Sequence, residues 1–155
     1  MAQLLLACGA HIEAKDEEGM NPLMRTCWEG QADTVRLLLD GGAQIDARDD
    51  ESGQTPLIFA CTTGQVDVVK LLLDSGAQIE AKDKRSWTPL IFACVANQAD
   101  VVQLLLDRGA DINAKDYDGK TPLKYACMMP GRADIAKLLL LSGAHIELYS
   151  SPTER

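Results

Sequence analysis

Short apolar runs alternate with polar, turn-rich segments along the whole chain. One apolar run spans Leu57 to Cys61, and after Gly64 a second run has apolar side chains on one helical face, at Val68, Val69, Leu71, Leu72 and Leu73. Segments such as Asp116 to Gly119 contain residues typical of β-turns. The pattern predicts pairs of short helices joined by polar turns.

The same pattern recurs in one register from end to end. The dipeptide Gly-Ala recurs every 33 or 34 residues, at Gly9, Gly42, Gly76, Gly109 and Gly143. The dipeptide Pro-Leu keeps the same period, at Pro22, Pro56, Pro89 and Pro122. Two independent markers at one period predict a repeat architecture.

Local signals set the expected ends of the helices. A capping residue precedes each of these prolines, at Asn21, Thr55, Thr88 and Thr121. Gly64 suits the left-handed position that ends a first helix. An aspartate stands in the first turn of each second helix, where the helix dipole favours a carboxylate, at Asp33, Asp67, Asp100 and Asp134. A helix pair this short cannot bury its leucines alone, so we expect the units to stack.

The chain resembles the ankyrin-repeat family. Residues 116–123, followed by Leu138 to Leu140 and then Gly143-Ala144, closely resemble the signature of that family, and similar blocks start at Asp16, Asp49 and Asp83. The resemblance implies an all-α solenoid of helix-turn-helix units with projecting β-turn or hairpin fingers. It also implies protein–protein recognition on a concave face formed by the fingers and the inner helices.

The resemblance divides the chain into four full repeats and a partial one. The full repeats are expected at 15–47, 48–81, 82–114 and 115–148, after a partial repeat at 1–14 that matches a second helix and before a C-terminal tail at 149–155. The partial repeat leaves an apolar helix, Leu4 to Ala7, without its partner. Either the chain is a fragment of a longer array, which we favour, or the half repeat is a minimal cap; the uncapped helix could also drive self-association.

Two features depart from the usual pattern. The histidine that commonly follows Thr-Pro-Leu in the family is replaced here by Met24, Ile58, Ile91 and Lys124. One-residue insertions interrupt the period near Glu51 and near Pro130, and both fall in expected loops, where an extra residue costs little.

Composition and charge narrow the class of partner. A chain that is 46% hydrophobic and 25% charged is ordinary for a folded protein. The net charge of −8 argues against nucleic acid as the main ligand. No apolar run approaches the ~18 residues of a membrane helix. A basic loop at Lys82, Lys84 and Arg85 is interpreted as a solvated segment.

No candidate catalytic or metal site emerges, and no cofactor is expected. Four cysteines share one repeat position, at Cys27, Cys61, Cys94 and Cys127. Stacked helices lie roughly 8–10 Å apart, too far for a disulfide, so these residues are predicted to be small buried side chains. Such free thiols fit a reducing compartment, and we expect an intracellular protein, cytoplasmic or nuclear. His11 and His145 are expected at opposite ends of the stack, too far apart to share a metal.

Variable positions within the repeated framework are the candidate binding residues. Trp28 and Trp87 occupy slots that hold other residue types in the other repeats, and aromatic residues are enriched at interfaces. The alternative for Trp28 is simple packing over a neighbouring repeat. The hypothetical binding face comprises Met20, Trp28, Gln54, Phe59, Trp87, Phe92, Lys120 and Tyr125.

Asn113 is a candidate modification site. Leu105 followed by Asp111-Ile112-Asn113 resembles the sequence in ankyrin repeats that asparaginyl hydroxylases modify, and the other repeats carry an acidic residue at this position. The simpler interpretation is that Asn113 hydrogen-bonds the finger backbone.

The sequence therefore predicts a non-enzymatic module that binds a protein partner. The alternative function is a structural spacer in a larger multidomain protein, with no dedicated ligand of its own.

Overall fold

A computed structural model of the chain describes residues 11–146, which contain eight α-helices in four pairs and no β-strand. The unpartnered helix predicted at Leu4 to Ala7 in the half repeat 1–14 and the tail predicted at 149–155 lie outside these residues. The first helices of the pairs are α1 (Pro22–Glu29), α3 (Pro56–Thr63), α5 (Pro89–Val95) and α7 (Pro122–Met128). The second helices are α2 (Ala32–Asp40), α4 (Val66–Asp74), α6 (Ala99–Asp107) and α8 (Ala133–Leu141).

The helix ends follow the predicted local signals. Each first helix starts with proline, and the side chain of the preceding residue accepts a hydrogen bond from a backbone amide in the first turn, at Asn21, Thr55, Thr88 and Thr121. Helix α3 is followed by its C-cap residue Gly64, whose φ of 76° is left-handed. Asp67 lies in the first turn of α4, as its counterparts do in the other second helices. The predicted capping is confirmed.

The helices stack in two rows, one behind the other. Each first helix packs against the next first helix, and each second helix against the next second helix. One continuous core joins the rows; it includes the equivalent leucines of the first helices, Leu23, Leu57, Leu90 and Leu123, and those of the second helices, Leu38, Leu72, Leu105 and Leu139. The predicted all-α solenoid is therefore confirmed.

The cysteine prediction is right at three positions and wrong at the fourth. Cys27, Cys61 and Cys94 are buried free thiols, whereas Cys127 is an exposed free thiol. Each buried cysteine lies in a first helix that is followed by another first helix in the row. Helix α7 is the last of that row among the described residues, and it packs mainly against α5 and α8, so no following first helix covers Cys127.

A tight turn, which we call a finger, precedes each first helix. The four fingers are residues 15–20, 48–54, 82–87 and 115–120. Each has an aspartate whose Oδ1 accepts one or two hydrogen bonds from backbone amides of its own turn, at Asp16, Asp49, Asp83 and Asp116. The second finger accommodates its inserted residue by closing the turn from Asp49 to Gln54. The β-turn prediction fits these bonds; the hairpin form is not confirmed, because residues 11–146 include no strand.

Neighbouring fingers are bonded to one another. The amide of Lys84 donates to the carbonyl of Ser52, and the amide of Tyr117 donates to that of Arg85. Arg48 donates from its guanidinium to the carbonyl of Lys82 in the next finger. The fingers consequently form a connected surface beside the first-helix row.

The contact between the first two fingers can be tested with a matched pair of glycines. Gly19 and Gly119 have nearly the same left-handed backbone, with φ of 72° and 73°. A Cβ added at Gly19 would lie 2.9 Å from the backbone nitrogen of Asp50, whereas one added at Gly119 would meet no atom within 4 Å. We expect Gly119→Ala to lower the free energy of unfolding by roughly 1 kcal/mol through backbone strain alone. Gly19→Ala is expected to cost roughly 2 kcal/mol, because the fingers must also separate.

Chemical denaturation followed by circular dichroism measures both variants. Equal losses for Gly19→Ala and Gly119→Ala would show that the contact between the first and second fingers adds nothing to stability.

Candidate functional site

Three aromatic rings meet where the third finger joins the fourth repeat. The ring centroid of Trp87 lies 5.2 Å from that of Phe92 and 4.8 Å from that of Tyr125, both in edge-to-face geometry. Such pairs stabilise by about 0.5–1.5 kcal/mol beyond the area that they bury. Trp87 and Tyr125 remain partly exposed, while Phe92 is buried beneath them.

A buried carboxylate fixes this aromatic group. Oδ2 of Asp116 accepts a hydrogen bond from the indole Nε1 of Trp87 at 3.2 Å and another from the hydroxyl of Tyr125. Its Oδ1 accepts from the amides of Asp118 and Lys120, at 2.9 and 2.8 Å. Asp116 therefore ties the turn of the fourth finger to a side chain of the third.

These contacts shift the pKa values of both acids. Burial by itself would raise the pKa of Asp116, but the hydrogen bonds from Tyr125, two backbone amides and Trp87 outweigh burial and lower it. Burial raises the pKa of Tyr125 to about 12, and its hydrogen bond to Asp116 adds to the rise. At neutral pH the pair is a carboxylate and a neutral phenol, which suits a structural hydrogen bond.

Two cations border the aromatic group. The guanidinium carbon of Arg85 lies 4.0 Å from the ring centroid of Trp87 and 5.7 Å from that of Phe92. The ammonium of Lys120 lies 5.7 Å from the ring centroid of Tyr125. All three distances allow a cation–π interaction. We call Arg85, Trp87, Phe92, Lys120 and Tyr125 the C-terminal cluster.

A second aromatic pair lies in the first two repeats. The ring of Trp28, at the end of α1, lies edge-to-face with that of Phe59 in α3, with centroids 6.1 Å apart. Phe59 packs in a small buried group with Met20 and Met24. We call Met20, Trp28 and Phe59 the N-terminal cluster. The packing alternative for Trp28 describes part of this contact, yet 43% of the residue remains exposed.

The eight predicted binding residues differ in how much surface they offer. Seven of them fall in the two clusters, and Gln54 lies at the end of the second finger. Trp28 is exposed, and the partly exposed members are Gln54, Trp87, Lys120 and Tyr125. The buried members, each less than a tenth exposed, are Met20, Phe59 and Phe92.

Sequence reasoning did not assign two residues that organise the site. Asp116 is placed from the sequence only in a β-turn segment and in the repeat signature, although an aspartate at every finger is a visible signal of a shared structural function. Arg85 belongs to the basic loop that is interpreted from the sequence as a solvated segment. Its closeness in sequence to Trp87, within one tight turn, was the available signal.

Asn113 takes part in a hydrogen bond between repeats. Its side-chain oxygen accepts from the amide of His145 at 3.0 Å. The equivalent acidic residues make the same bond to the next repeat, Glu13 to Gln44, Asp46 to Gln78 and Glu80 to Asp111. Asn113 therefore makes a structural hydrogen bond to the backbone, but its partner His145 follows α8 and does not lie in a finger, as the simpler interpretation had expected. The hydroxylation of Asn113 remains a prediction.

The described residues offer little for chemistry of other kinds. Burial raises the pKa of the Cys94 thiol to about 12 and also raises those of Cys27 and Cys61, so these thiols are protonated at neutral pH. Residues 11–146 contain no group of three or more histidine, cysteine or acidic side chains placed to hold a metal ion. No helix in that part of the chain is long and apolar enough to cross a membrane.

The chain matches the model of a known protein family. A family model described as ankyrin repeats (3 copies) matches residues 1–83 and again residues 79–150. The two matches together cover nearly the whole chain and include every helix described above.

Proposed function

The chain belongs to the ankyrin-repeat family, and from this premise we propose that it is a non-enzymatic module that binds a protein partner. The proposed site is the face formed by the fingers and the first-helix row, which corresponds to the concave face of the family. Ankyrin repeats generally serve as protein–protein interaction modules, and such modules recognise partners through side chains on a constant framework.

One observation supports this site above all. The side chains that differ from repeat to repeat include the two tryptophans, and both lie in aromatic clusters beside the fingers. The framework residues at the same time keep their type, as the buried leucines of both rows do. Partly exposed aromatic residues on buried supports are the usual anchors of an interface.

The buried members of the predicted face have a supporting role in this proposal. Phe59 packs under Trp28, and Phe92 packs under Trp87. They hold the tryptophan side chains in place before binding. The tryptophans therefore lose little conformational entropy when the partner binds. Direct contact with the partner is assigned to Trp28, Gln54, Trp87, Lys120 and Tyr125.

The test is to truncate the two exposed anchors. Affinity purification and mass spectrometry identify a partner of the full chain, and calorimetry then measures its Kd. We expect Trp28→Ala and Trp87→Ala each to weaken binding about tenfold or more, as is typical of interface anchors. Circular dichroism checks that both variants stay folded.

Leu141→Ala is the matched control, because Leu141 is 78% exposed but belongs to the second-helix row. Its affinity should equal that of the unaltered chain. Unchanged affinity in both tryptophan variants would place the binding site elsewhere. Failure to retain any specific partner would favour the structural spacer.

The proposal includes location in a reducing compartment, cytoplasmic or nuclear. Its support is chemical: Cys27, Cys61, Cys94 and Cys127 are all free thiols, and Cys127 is exposed to oxidants.

A further inference from the structure

The four fingers differ in charge along the stack. The first finger has one basic and three acidic residues, and so has the second, which gives each a formal charge of −2. The third finger has three basic residues and one acidic residue, a formal charge of +2, and the fourth is neutral. A protein with a net charge of −8 therefore presents a local basic surface on the third finger.

Arg85 is an exposed residue of this surface whose side chain is held in place. Its guanidinium is stacked on Trp87, and its Nε donates to Oδ2 of Asp83 at 3.1 Å. Asp83 is itself fixed by the amides of Arg85 and Trp87. The orientation of the guanidinium is thus set before any ligand arrives.

The terminal nitrogens of Arg85 remain available. They make no hydrogen bond to the residues that the structure describes, and 56% of the side chain is exposed. A planar guanidinium with two adjacent free donors matches the two oxygens of a carboxylate. A side chain that is already ordered loses less entropy when it pairs.

We propose that the C-terminal cluster binds an acidic segment of a protein partner, with a carboxylate of that segment paired with the terminal nitrogens of Arg85. An apolar side chain next to the carboxylate packs against the partly exposed rings of Trp87 and Tyr125. Lys120, whose ammonium lies near Tyr125, already pairs with the exposed Asp118 at 3.2 Å, so the pairing with the segment is assigned to Arg85 alone. This assignment rests on the proposed function and specifies the chemistry of its partner.

The distribution of charge favours a short peptide segment over a polyanion. Nucleic acid presents a long run of phosphates, and phosphates beyond the third finger would lie over two fingers that each have a formal charge of −2. An acidic membrane surface would meet the same repulsion. A segment with a few carboxylates can cover the third and fourth fingers alone.

The experiment selects random peptides displayed on phage against the immobilised full chain. The enriched peptides are synthesised with a fluorescent label, and anisotropy measures their Kd for the chain and its variants. We expect enrichment of aspartate or glutamate beside apolar residues. We also expect affinity to fall as NaCl is raised from about 50 to about 300 mM, because salt screens the charges.

Arg85→Gln should weaken the selected peptides about tenfold, because it removes a charged, two-point contact. Arg85→Lys, which keeps the charge but loses the planar donors, should fall between that variant and the unaltered chain. Arg36→Gln is the control; Arg36 is exposed on α2, in the second-helix row, and its loss changes the net charge equally. It should leave affinity unchanged.

Several results would overturn the assignment. The selected peptides could lack acidic residues and yet fail to bind the Trp87→Ala variant. That result would support the binding face but refute the acidic partner. Acidic peptides that bind Arg85→Gln normally would refute the role of Arg85, and so would the absence of any enriched peptide. An oligothymidylate, or a vesicle containing phosphatidylserine, that binds more tightly than the peptides and loses binding in Arg85→Gln would show that the surface recognises another class of anion.

Discussion

Replacing Asp116 by alanine is expected to lower the free energy of unfolding by roughly 3 kcal/mol. The carboxylate accepts four hydrogen bonds, two from amides of its own finger and two from the side chains of Trp87 and Tyr125. Alanine removes all four acceptor contacts in a buried place, so the donors lose their partners together. Hydrogen bonds to a charged group contribute about 1.5–3 kcal/mol each, but bonds within one network do not add.

Asp118→Ala is the matched control for this prediction. It removes the same charge from the same finger, but the Asp118 side chain is 71% exposed and pairs only with Lys120, at 3.2 Å. An exposed pair of this kind contributes between 0 and about 1 kcal/mol. Denaturation in urea compares the two variants. A difference of less than about 0.5 kcal/mol between them would contradict the role given to Asp116.

The titration of Tyr125 gives a second readout of the same network. Burial is the larger cause of its raised pKa of about 12 and the bond to Asp116 the next, so Asp116→Asn should lower that pKa while leaving it above the ordinary value. A raised pKa in the folded state stabilises the protein fully below about pH 10, and this contribution is lost between about pH 10 and pH 12. The absorbance of tyrosinate, recorded as the pH is raised, measures this pKa. The part of the titration that is lost in Tyr125→Phe is the part that belongs to Tyr125.

The parts of the fold that depend on neighbouring residues in the chain were predictable from the sequence. Thr88 caps α5 because its hydroxyl needs only the backbone three residues later, and Pro89 needs only a free first position. The stacking followed from the period, since every unit repeats the same apolar positions. Because the same pattern recurs in each unit, the prediction of single helices could be extended to the whole solenoid.

Exposure was less predictable, because it depends on what the next repeat places alongside. Cys127 has the same slot as Cys94, yet it is exposed because no described helix follows α7 in its row. Phe92 and Tyr125 likewise share a slot, but Phe92 is buried and Tyr125 is not. The sequence identifies a variable slot without showing whether its side chain reaches the surface.

The roles of Arg85 and Asp116 depend on contacts that the sequence does not display. Asp116 is 29 residues from Trp87, and only the stacking of the third and fourth repeats brings their side chains together. Arg85 is close to Trp87 in sequence, but nearby residues in a turn stack only when the turn orients them. The left-handed φ of 63° at Ser86, between the two, is one part of that orientation.

Replacing Leu72 by alanine is expected to lower the free energy of unfolding by about 3–5 kcal/mol. Leu72 is fully buried in α4, which packs against both α2 and α6 in the second-helix row. The substitution removes apolar contacts and leaves a cavity in a middle repeat. Because each repeat is stabilised mainly by its neighbours, the cavity weakens an interface on either side.

Leu139, the equivalent residue of the last described repeat, is also fully buried, but α8 packs mainly against α6 and α7 and no described second helix follows it in its row. Leu139→Ala should therefore cost about 1 kcal/mol less than Leu72→Ala, and Leu141→Ala, at an exposed position of the same helix, should cost almost nothing. Urea denaturation of the three variants measures this order. Equal losses at Leu72 and Leu139 would mean that stability is set within each repeat, and a large loss at Leu141 would mean that the solvent-facing side of α8 is packed against something. Packing between neighbouring repeats also holds the third finger against the fourth. The urea denaturation of these variants therefore also tests the packing that positions the C-terminal cluster.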